Sequence, residues 1–420
     1  MAQQFQAPPG TFDVLPPDSA RYAELVARFA GHADRAGFGL IVQPMFEDIG
    51  VFHRLGGSTD IVRKEMYDFE DKGGRHVALR PEGTAPVARA YIQHRPQQVP
   101  WKVWYLTPKF RYERPQKGRF RQHHEVGAEA LGSEDPALDV EVIALPWTLY
   151  QDLGLRQVTV FLNSLGDGEC RPQYRATLQA YLEARRDQLC DEHKDRIAEN
   201  PLRVLDCKRP ACKDATADAP RQIDHLCDAC RAHFDAVKAG LTAIGVPFTI
   251  ETRLVRGMDY YTRTTFEFAA TALDAAQNAV GGGGRYDGLV EQLGGPATPG
   301  IGFGLGIERI LLACEAEGVF TTPSAHTDVF VVDLADGTAA TEWTHRLRQA
   351  GLRADRAFDG RSMKSQMKSA DRSGARVALI IGDDEIAQGI VTVRPLRSEH
   401  NEQASVPADK VVETVRDLLA

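Results

Sequence analysis

The chain has 420 residues, of which 43% are hydrophobic and 26% are charged, and its formal net charge is −8. This length gives room for two or three domains with full cores, and the composition is that of an ordinary globular protein. The acidic balance excludes indiscriminate coating of nucleic acid, although a nucleic-acid partner can still bind a local basic patch.

The N-terminal part, residues 1–167, predicts a helix over 18–36 that ends at Gly37. Segment 38–46 has strand character, and Pro44 within it favours a sheet edge or an interface position. A hairpin over 66–79 then leads into Arg80-Pro81-Glu82-Gly83-Thr84 and a further helix. A strand that brings charged side chains to a helix N-terminus suits a charged small ligand, although a plain turn capped by Thr84 explains the same residues.

The stretch from Phe110 to Glu129 is rich in arginine within an acidic chain. Its pattern predicts a long hairpin of two strands joined by a mobile basic loop around Gly118. Arginine forks bind phosphate and carboxylate oxygens two at a time, and glutamates among them suit a pocket that holds an anion and an amine together. A solvated charged hairpin is the alternative.

Residues 168–250 follow a helix over 135–153 and a strand over 158–163. They are mostly helical and interrupt the sheet pattern, so we interpret them as an insertion. The insertion contains a cysteine cluster formed by Cys207, Cys212, Cys227 and Cys230. Their spacing resembles a four-thiolate zinc site, but we favour reduced structural cysteines over zinc. The odd total of seven cysteines fits a reducing compartment.

Residues 251–325 return to strand character. Arg256, Tyr260 and Tyr261 stand near a glycine corner, which is more typical of a ligand pocket than of a core strand. The glycines at 281–284 precede Tyr286 and permit close approach of a ligand. The run over 300–310 alternates glycine with larger residues, so one face of this strand is predicted to be bare, with Arg309 pointing over it.

The sequence pattern changes again over 326–420, where predicted strands and helices alternate as in a separate α/β domain. Its helix beginning near 361 carries basic residues on one face at three- and four-residue spacing. A solvated face is the default interpretation, and contact with an RNA backbone is the alternative. The residues in question are Arg361, Lys364, Lys368 and Arg372.

Several of these motifs resemble a known family. FRYE at 110–113 and GFGLGIER at 302–309 look like the second and third signature motifs of class II aminoacyl-tRNA synthetases, and the helix and strand around Gly37 look like the first. Within that class, RGMDYYT at 256–262, LRPEGT at 79–84 and RPQKGRFR at 114–121 resemble histidyl-tRNA synthetases. The resemblance covers nearly the whole chain.

The resemblance implies an α+β fold, in which an antiparallel sheet flanked by helices carries a helical insertion and a C-terminal α/β anticodon-binding domain. It also implies ATP-dependent ligation of L-histidine to histidine tRNA through a histidyl-adenylate, with magnesium bridging the phosphates. A homodimer formed through the N-terminal helix and strand is implied as well. We expect a cytoplasmic protein without a membrane association, because no apolar run reaches the length of a membrane span.

Carried over residue by residue, the resemblance assigns catalytic roles to Arg256 and Arg111. The residues implied to bind histidine are Glu82, Gly83, Thr84, Arg111, Glu125, Glu129, Arg256, Tyr260, Tyr261 and Tyr286. Those implied to bind ATP are Arg111, Glu113, Arg119, His123 and Arg309. The basic residues at 361–372 are the candidates for binding tRNA.

Two positions depart from the family pattern, which usually has Phe where this chain has His123 and Gln where it has Glu125. His123 can still stack on adenine, and its charge can titrate. Glu125 adds a negative charge near the substrate amine, and we expect Glu125→Gln to change the KM for histidine by less than about tenfold.

Two other functions are compatible with parts of the sequence. One is a non-catalytic, synthetase-like regulatory subunit of histidine biosynthesis, a family that lacks the C-terminal domain and erodes the arginine-bearing motif. The other is an RNA-binding module, which has no need for the combination of Arg111, Glu113, Arg256 and Arg309. Histidine-dependent pyrophosphate exchange separates the enzyme from both.

Overall fold

The computed structural model describes residues 4–54, 61–205, 207, 209–255, 258–274, 278–321, 327–397 and 402–420. The chain divides into two compact units. The first is formed by Met1–Val14 with Arg21–Thr321, and the second by Leu15–Ala20 with Thr322–Ala420. Within the described residues, no helix is both long enough and apolar enough to cross a membrane.

The strands of the first unit are β1 Gly39–Leu40, β2 Phe46–Asp48, β3 Tyr67–Glu70, β4 His76–Leu79, β5 Trp101–Phe110, β6 Gln122–Leu131, β7 Val158–Ser164, β8 Thr249–Ile250, β9 Thr262–Ala270, β10 Ala279–Arg285 and β11 Gly300–Gly306. Those of the second unit are β12 Val329–Asp333, β13 Ala354–Arg356, β14 Val377–Ile381, β15 Ile390–Pro395 and β16 Ala404–Pro407.

The helices up to the end of the first unit are α1 Asp18–Arg35, α2 Ile49–His53, α3 Thr84–His94, α4 Pro136–Asp152, α5 Arg171–Glu183, α6 Asp191–Lys194, α7 Leu202–Leu205, α8 Pro210–Ala215, α9 Asp228–Ala243, α10 Leu289–Gln292 and α11 Ile307–Glu317. The remaining helices are α12 Thr338–Gln349, α13 Met363–Arg372, α14 Asp383–Gln388 and α15 Val411–Leu419. Ile61–Glu65 forms a π-helical turn, and Arg186–Gln188 and Gln222–His225 form 3₁₀ turns.

An eight-stranded sheet in the order β1-β5-β6-β11-β10-β9-β7-β8 organises the first unit. Its central pairings are antiparallel, whereas the short edge strands β1 and β8 pair in parallel with β5 and β7. A small sheet in the order β2-β4-β3 stands apart from it. The expected antiparallel sheet flanked by helices is therefore confirmed, with a parallel strand added at each edge.

Alternation along the strands gives the large sheet two different faces. On β11, Ile301, Phe303 and Leu305 belong to the main hydrophobic core, to which α1, α4, α9 and α11 also contribute buried residues. On β6, Val126 and Ala128 enter the same core. The residues between them therefore face the other way, and this second face carries the candidate site.

A buried ion pair joins the sheet to the helical layer. The guanidinium of Arg285, at the end of β10, donates to the carboxylate of Asp139 on α4 at 2.8 Å from Nε and 2.6 Å from Nη2. Both side chains are fully buried. Arg285, which directly follows the 281–284 glycines, therefore has a structural role. Its neighbour Tyr286 is directed toward the site described below.

The second unit is an α/β sheet in the order β13-β12-β14-β15-β16. β12 pairs in parallel with β13 and β14, and the remaining pairings are antiparallel. Alternate residues of β12 enter two cores, one shared with α12 and α15 and the other with α13. Helices therefore cover both faces of this sheet.

Two sequence-based element boundaries were wrong. Segment 38–46 forms only the two-residue strand β1 and the first residue of β2, because Gln43 and Arg80 tie its middle into irregular backbone instead of a ladder. The C-terminal helix begins at Val411, and residues 404–407 form the edge strand β16 instead. The alternation over 404–407 was too short to be recognised against a helical background.

Candidate active site

A cavity of about 840 Å³ lies over the second face of the large sheet. Its lining includes most of the residues selected from the sequence, although they come from β6, α3, α11 and the segments that connect these elements. Those residues are Glu82, Thr84, Arg111, Glu113, Arg119, His123, Glu125, Tyr260, Tyr261 and Arg309.

The bare face predicted for β11 is filled by carboxylates from its neighbour β6. Gly302 pairs with Glu129 in the ladder, and a Cβ at Gly302 would lie 1.7 Å from Oε2 of Glu129. A Cβ at Gly304 would lie 2.1 Å from Oε1 of Glu125. Any larger residue at these two positions would therefore displace a carboxylate from the cavity wall.

Glu129 is fully buried and accepts three hydroxyl hydrogen bonds. They come from Thr84 (2.8 Å), Tyr105 (3.1 Å) and Tyr286 (2.6 Å). Burial raises the pKa of Glu129 to about 8, and the hydrogen bonds from Tyr286 and Thr84 oppose this shift only in part. Near neutral pH this side chain, which is buried behind the cavity lining, can therefore be either a carboxylate or a carboxylic acid.

This raised pKa predicts how stability depends on pH. The folded chain holds the Glu129 proton more tightly than the unfolded chain, so the stabilisation is present at low pH and is lost as pH rises toward about 8. Glu129→Gln removes the titration but keeps the shape. We expect the Tm of the variant relative to the natural chain to increase between about pH 5 and about pH 8. Calorimetry on both proteins measures this; a constant difference across that range would contradict it.

Glu82 lies at the N-terminus of α3, where it accepts from the backbone N–H groups of Thr84 (2.8 Å) and Ala85 (2.9 Å). Gly83 is the N-cap residue, and its carbonyl oxygen accepts from Nε2 of Gln43 at 3.0 Å. Burial raises the pKa of Glu82, while Lys109 and the two N–H groups lower it. Arg80 does not line the cavity. Its guanidinium group is directed elsewhere and donates to the carbonyl oxygens of Gln43, Pro44 and Pro108.

Lys109 is a site residue that the sequence reasoning missed. Its ammonium group forms an ion pair with the carboxylate of Glu125, and the two side chains are only 5% and 13% exposed. The charge that Glu125 adds is therefore balanced inside the cavity wall. The available signal was strand alternation, since Lys109 stands two residues before Arg111 and opposite His123 in the β5–β6 ladder.

Tyr260 and Tyr261 line the same end of the cavity, and Tyr286 is buried behind them. The ring of Tyr260 lies 4.7 Å from that of Tyr261 and 5.9 Å from that of Tyr286. The hydroxyl of Tyr260 donates to Oε2 of Glu82 at 3.4 Å. This end therefore combines acidic side chains with an aromatic wall, which suits a cationic or hydrogen-bond-donating ring.

The other end of the cavity is basic. Arg111 donates from Nε to the carbonyl oxygen of Pro81 (2.8 Å), and Arg309 donates to those of Gly118 and Ala279 (2.9 Å each). Arg119 forms an ion pair with Glu113 at 2.5 Å. These contacts fix three guanidinium groups around one space, as expected for binding an anion of several charges.

His123 lies among these cations and is kept neutral. Burial lowers the pKa of His123 to about 2, and the charges of Arg111, Lys109 and Arg309 add to this effect. The titration considered from the sequence is therefore not expected near neutral pH. A neutral imidazole in this position can stack on a flat ring.

The structure does not bring every predicted residue onto the cavity lining, because Gly83, Glu129 and Tyr286 are buried behind it. Arg256 lies outside the described residues. Lys364, Lys368 and Arg372 are exposed on α13 in the second unit, with Arg361 just before the helix. The single four-cysteine site is wrong, because Cys207 and Cys212 belong to one side-chain cluster and the other two cysteines belong to another.

Comparison of the chain with known proteins identifies its family. The sequence model for "Histidyl-tRNA synthetase" matches residues 10–310, and that for "Anticodon binding domain" matches residues 328–418. The chain belongs to the histidyl-tRNA synthetase family. It is 51% identical to the histidine–tRNA ligase of Rhodococcus erythropolis, over 100% of this chain and 99% of that one.

Further relatives agree with this membership of the histidyl-tRNA synthetase family. The histidine–tRNA ligase of Streptomyces coelicolor is 48% identical, over 97% of this chain and 96% of the relative. The crystal structure of apo S. aureus histidyl-tRNA synthetase superimposes with a TM-score of 0.83 at 35% identity, covering 98% of this chain and 100% of that one. The family resemblance and the fold expected from it are thus confirmed.

Proposed function

We propose that this chain joins L-histidine to histidine tRNA in two steps, with ATP as the energy source. Histidine first attacks the α-phosphorus of ATP to give histidyl-adenylate and pyrophosphate; the terminal adenosine of the tRNA then takes the histidyl group and AMP leaves. The observation that carries the proposal is one cavity with buried carboxylates at one end and three fixed arginines at the other. The regulatory-subunit alternative is not favoured, because the full-length relatives are histidine–tRNA ligases.

At the acidic end, Glu82 and Glu125 bind the substrate ammonium group, helped by Gly83 and Thr84. Glu129 faces the imidazole and accepts its N–H, while Tyr260, Tyr261 and Tyr286 enclose the ring. An amino acid without that N–H loses this hydrogen bond, while the three hydroxyl hydrogen bonds of Glu129 remain; a hydrogen bond to a charged group contributes about 1.5–3 kcal/mol. This is the physical basis for selecting histidine.

At the basic end, the substrate is ATP with its magnesium ion, so Mg²⁺ enters as part of the substrate. Arg111 holds the reacting carboxylate and the α-phosphate, Arg119 and Arg309 hold the outer phosphates, and neutral His123 stacks on adenine, with Glu113 orienting Arg119. In-line attack brings two anions together and builds charge on the phosphate oxygens. Preorganised guanidinium groups lower this barrier without a nucleophilic side chain.

Arg256 completes the proposal from the family resemblance, as a second cation at the carboxylate and α-phosphate. The test is ATP–pyrophosphate exchange with each of several amino acids, measured for the natural chain and for Arg256→Ala. We expect exchange with histidine only, and its loss in the variant. Tight histidine binding without exchange would favour the regulatory subunit instead.

We further propose that α13 binds the tRNA backbone. Lys364, Lys368 and Arg372 are exposed on this helix, and Arg361 lies beside Asp359 at 3.5 Å just before it. Phosphate contacts of this kind raise affinity with little regard to sequence.

Reversing the three helical charges to glutamate should therefore raise the KM for tRNA about tenfold while leaving pyrophosphate exchange within about twofold. Aminoacylation at several tRNA concentrations measures this. Lys410→Glu, at the N-cap of α15, is the control and should change neither the KM for tRNA nor the rate of pyrophosphate exchange. An unchanged KM in the triple variant would assign α13 to a plain solvated face.

We also propose a cytoplasmic homodimer that pairs through segment 40–46. Leu40, Val42, Met45 and Phe46 are between 48% and 85% exposed, an unusual density of apolar surface for a free face. Val42→Asp should halve the mass measured by light scattering, because it places a charge in the contact. Ile244→Asp, at an apolar position that is 54% exposed elsewhere, is the control. A dimer that survives Val42→Asp would contradict this interface.

A further inference from the structure

The insertion between β7 and β9 contains two clusters of metal-ligating side chains that the proposed reaction does not use. The first consists of Cys190, His193, Cys207 and Cys212, and the second of Asp167, Cys170, Cys227 and Cys230. In each cluster the ligand atoms all lie within 4.8 Å of one another. We propose that each cluster binds one zinc ion, and that the two ions hold the insertion together.

The first cluster has the donor set and spacing of a structural zinc site. Cys190 and His193 are separated by two residues, and Cys207 and Cys212 by four, which matches the short ligand pairs of such sites. Tetrahedral zinc with three sulfurs and one nitrogen places its ligand atoms roughly 3.5–3.8 Å apart. Sγ of Cys190 and Nδ1 of His193 are already 3.0 Å apart, so a small adjustment accommodates the ion.

Groups around the first cluster support thiolate ligands. The backbone N–H of Cys190 donates to Sγ of Cys212 at 3.3 Å, a contact of the kind that orients metal ligands from outside the coordination shell. Attraction to the neighbouring Cys190 thiolate raises the pKa of the Arg209 guanidinium. Three thiolates, a neutral histidine and Zn²⁺ carry one net negative charge, which this guanidinium balances.

The first cluster lies in a module formed by α6, α7 and α8, which has few other stabilising elements of its own. Its helices α6, α7 and α8 contain only four to six residues each. Helices of that length are not stable by themselves, and a small core usually needs a metal or disulfide staple. All seven cysteines are free thiols, so disulfides do not supply it. Cys207 and Cys212 instead lie within the module's own small core.

The second cluster rests on separate geometry. Sγ of Cys170 and Sγ of Cys227 lie 3.7 and 4.0 Å from Oδ1 of Asp167, and the Asp167 N–H donates to Sγ of Cys170 at 3.4 Å. Gly166 makes room for this turn, since it has φ +63° and its Cβ would lie 2.5 Å from the Cys170 sulfur. Arg263, 3.5 Å from Asp167, offsets the negative charge of this ligand set.

The position of the second cluster gives it a distinct role. Asp167 and Cys170 stand where the chain leaves β7 for α5, and Cys227 and Cys230 stand where it enters α9. A metal ion here joins the start of the insertion to the start of α9 and closes the intervening chain into a loop, which reduces the entropy of the unfolded state. The first ion then fixes the interior of that loop.

The test is the zinc content of the full-length protein, prepared with zinc in the medium and without chelators or metal-affinity resin. Elemental analysis should give about two zinc ions per chain. Cys212→Ser should lose one, Cys230→Ser should lose the other, and Cys314→Ala, at a buried cysteine outside both clusters, should retain two.

Less than about 0.2 zinc per chain, after added Zn²⁺ and desalting, would overturn both sites and leave reduced structural cysteines. Loss in Cys212→Ser but not in Cys230→Ser would overturn the second site alone. Because serine variants can misfold, the natural chain is also loaded with Co²⁺. Thiolate-to-cobalt absorption is expected, and its absence in a folded protein would count against the proposal. Neither readout depends on the ligase activity.

Discussion

Arg111→Ala is expected to lower the rate of histidine-dependent pyrophosphate exchange about a thousandfold. Removing one preorganised donor from a site where charge develops costs about 10²–10³ in kcat, and Arg111 also carries a full positive charge. Among the described residues its side-chain hydrogen bond runs from Nε to the carbonyl oxygen of Pro81, 2.8 Å away. That bond fixes the plane of the Arg111 guanidinium group before the substrate binds. The loss of activity in Arg111→Ala should therefore appear in kcat more than in KM.

Arg111→Lys is the matched variant, because it keeps the charge and loses the planar fork. It should retain more exchange than Arg111→Ala while remaining well below the natural chain. Circular dichroism and Tm must show that both variants are folded. Exchange by folded Arg111→Ala within about tenfold of the natural rate would remove Arg111 from the catalytic machinery.

Glu125→Gln is expected to lower kcat/KM for histidine about a hundredfold, considerably more than the sequence alone suggested. The reason is Lys109, whose ammonium group is 5% exposed and is paired with Glu125. Removing one partner of a buried pair leaves the other charge uncompensated, which typically costs about 3–5 kcal/mol. Here the uncompensated cation would also repel the substrate ammonium group.

The decisive comparison is the double variant Lys109→Met with Glu125→Gln. Because it removes both charges, it should recover kcat/KM to within about tenfold of the natural chain. The four proteins form a double-mutant cycle, measured by pyrophosphate exchange at varied histidine concentration. If the effects of the two single variants simply add, Lys109 and Glu125 act independently and the pairing has no role in substrate binding.

Much of the fold followed from local patterns. The helix at 18–35 and the hairpin at 67–79 have clear periodicity and clear breaking residues, so their positions were recognisable to within a few residues. The β5–β6 hairpin was recognised as a hairpin, but β5 runs from Trp101 to Phe110 and so lies almost entirely before the stretch that was selected. Segment 38–46 was not, since its conformation depends on Arg80, which donates to the carbonyl oxygens of Gln43 and Pro44, and on Gly83, whose carbonyl oxygen accepts from the Gln43 side chain. Tertiary contacts of this kind leave no local signal.

The candidate site shows the same division. Motif by motif, the sequence identified Glu82, Arg111, Glu129 and Arg309, because their types and spacings resemble a known family. It did not identify Lys109: strand alternation puts Lys109 on the same face as Arg111, but the ion pair with Glu125 that makes it important depends on the β5–β6 register. Nor could it show that His123 is neutral, because its pKa is set by burial and by the cations Arg111, Lys109 and Arg309, which come from two separate segments.

The cysteines make the distinction most sharply. The sequence by itself determined that four of the cysteines of the insertion occur in pairs at short spacing, because both members of a pair lie within one stretch of the chain. Only the tertiary structure decided the partners: Cys207 and Cys212 meet Cys190 and His193, whereas Cys227 and Cys230 meet Asp167 and Cys170. Which distant segments meet is fixed by the packing of the whole insertion against the sheet, and proximity along the chain does not encode it.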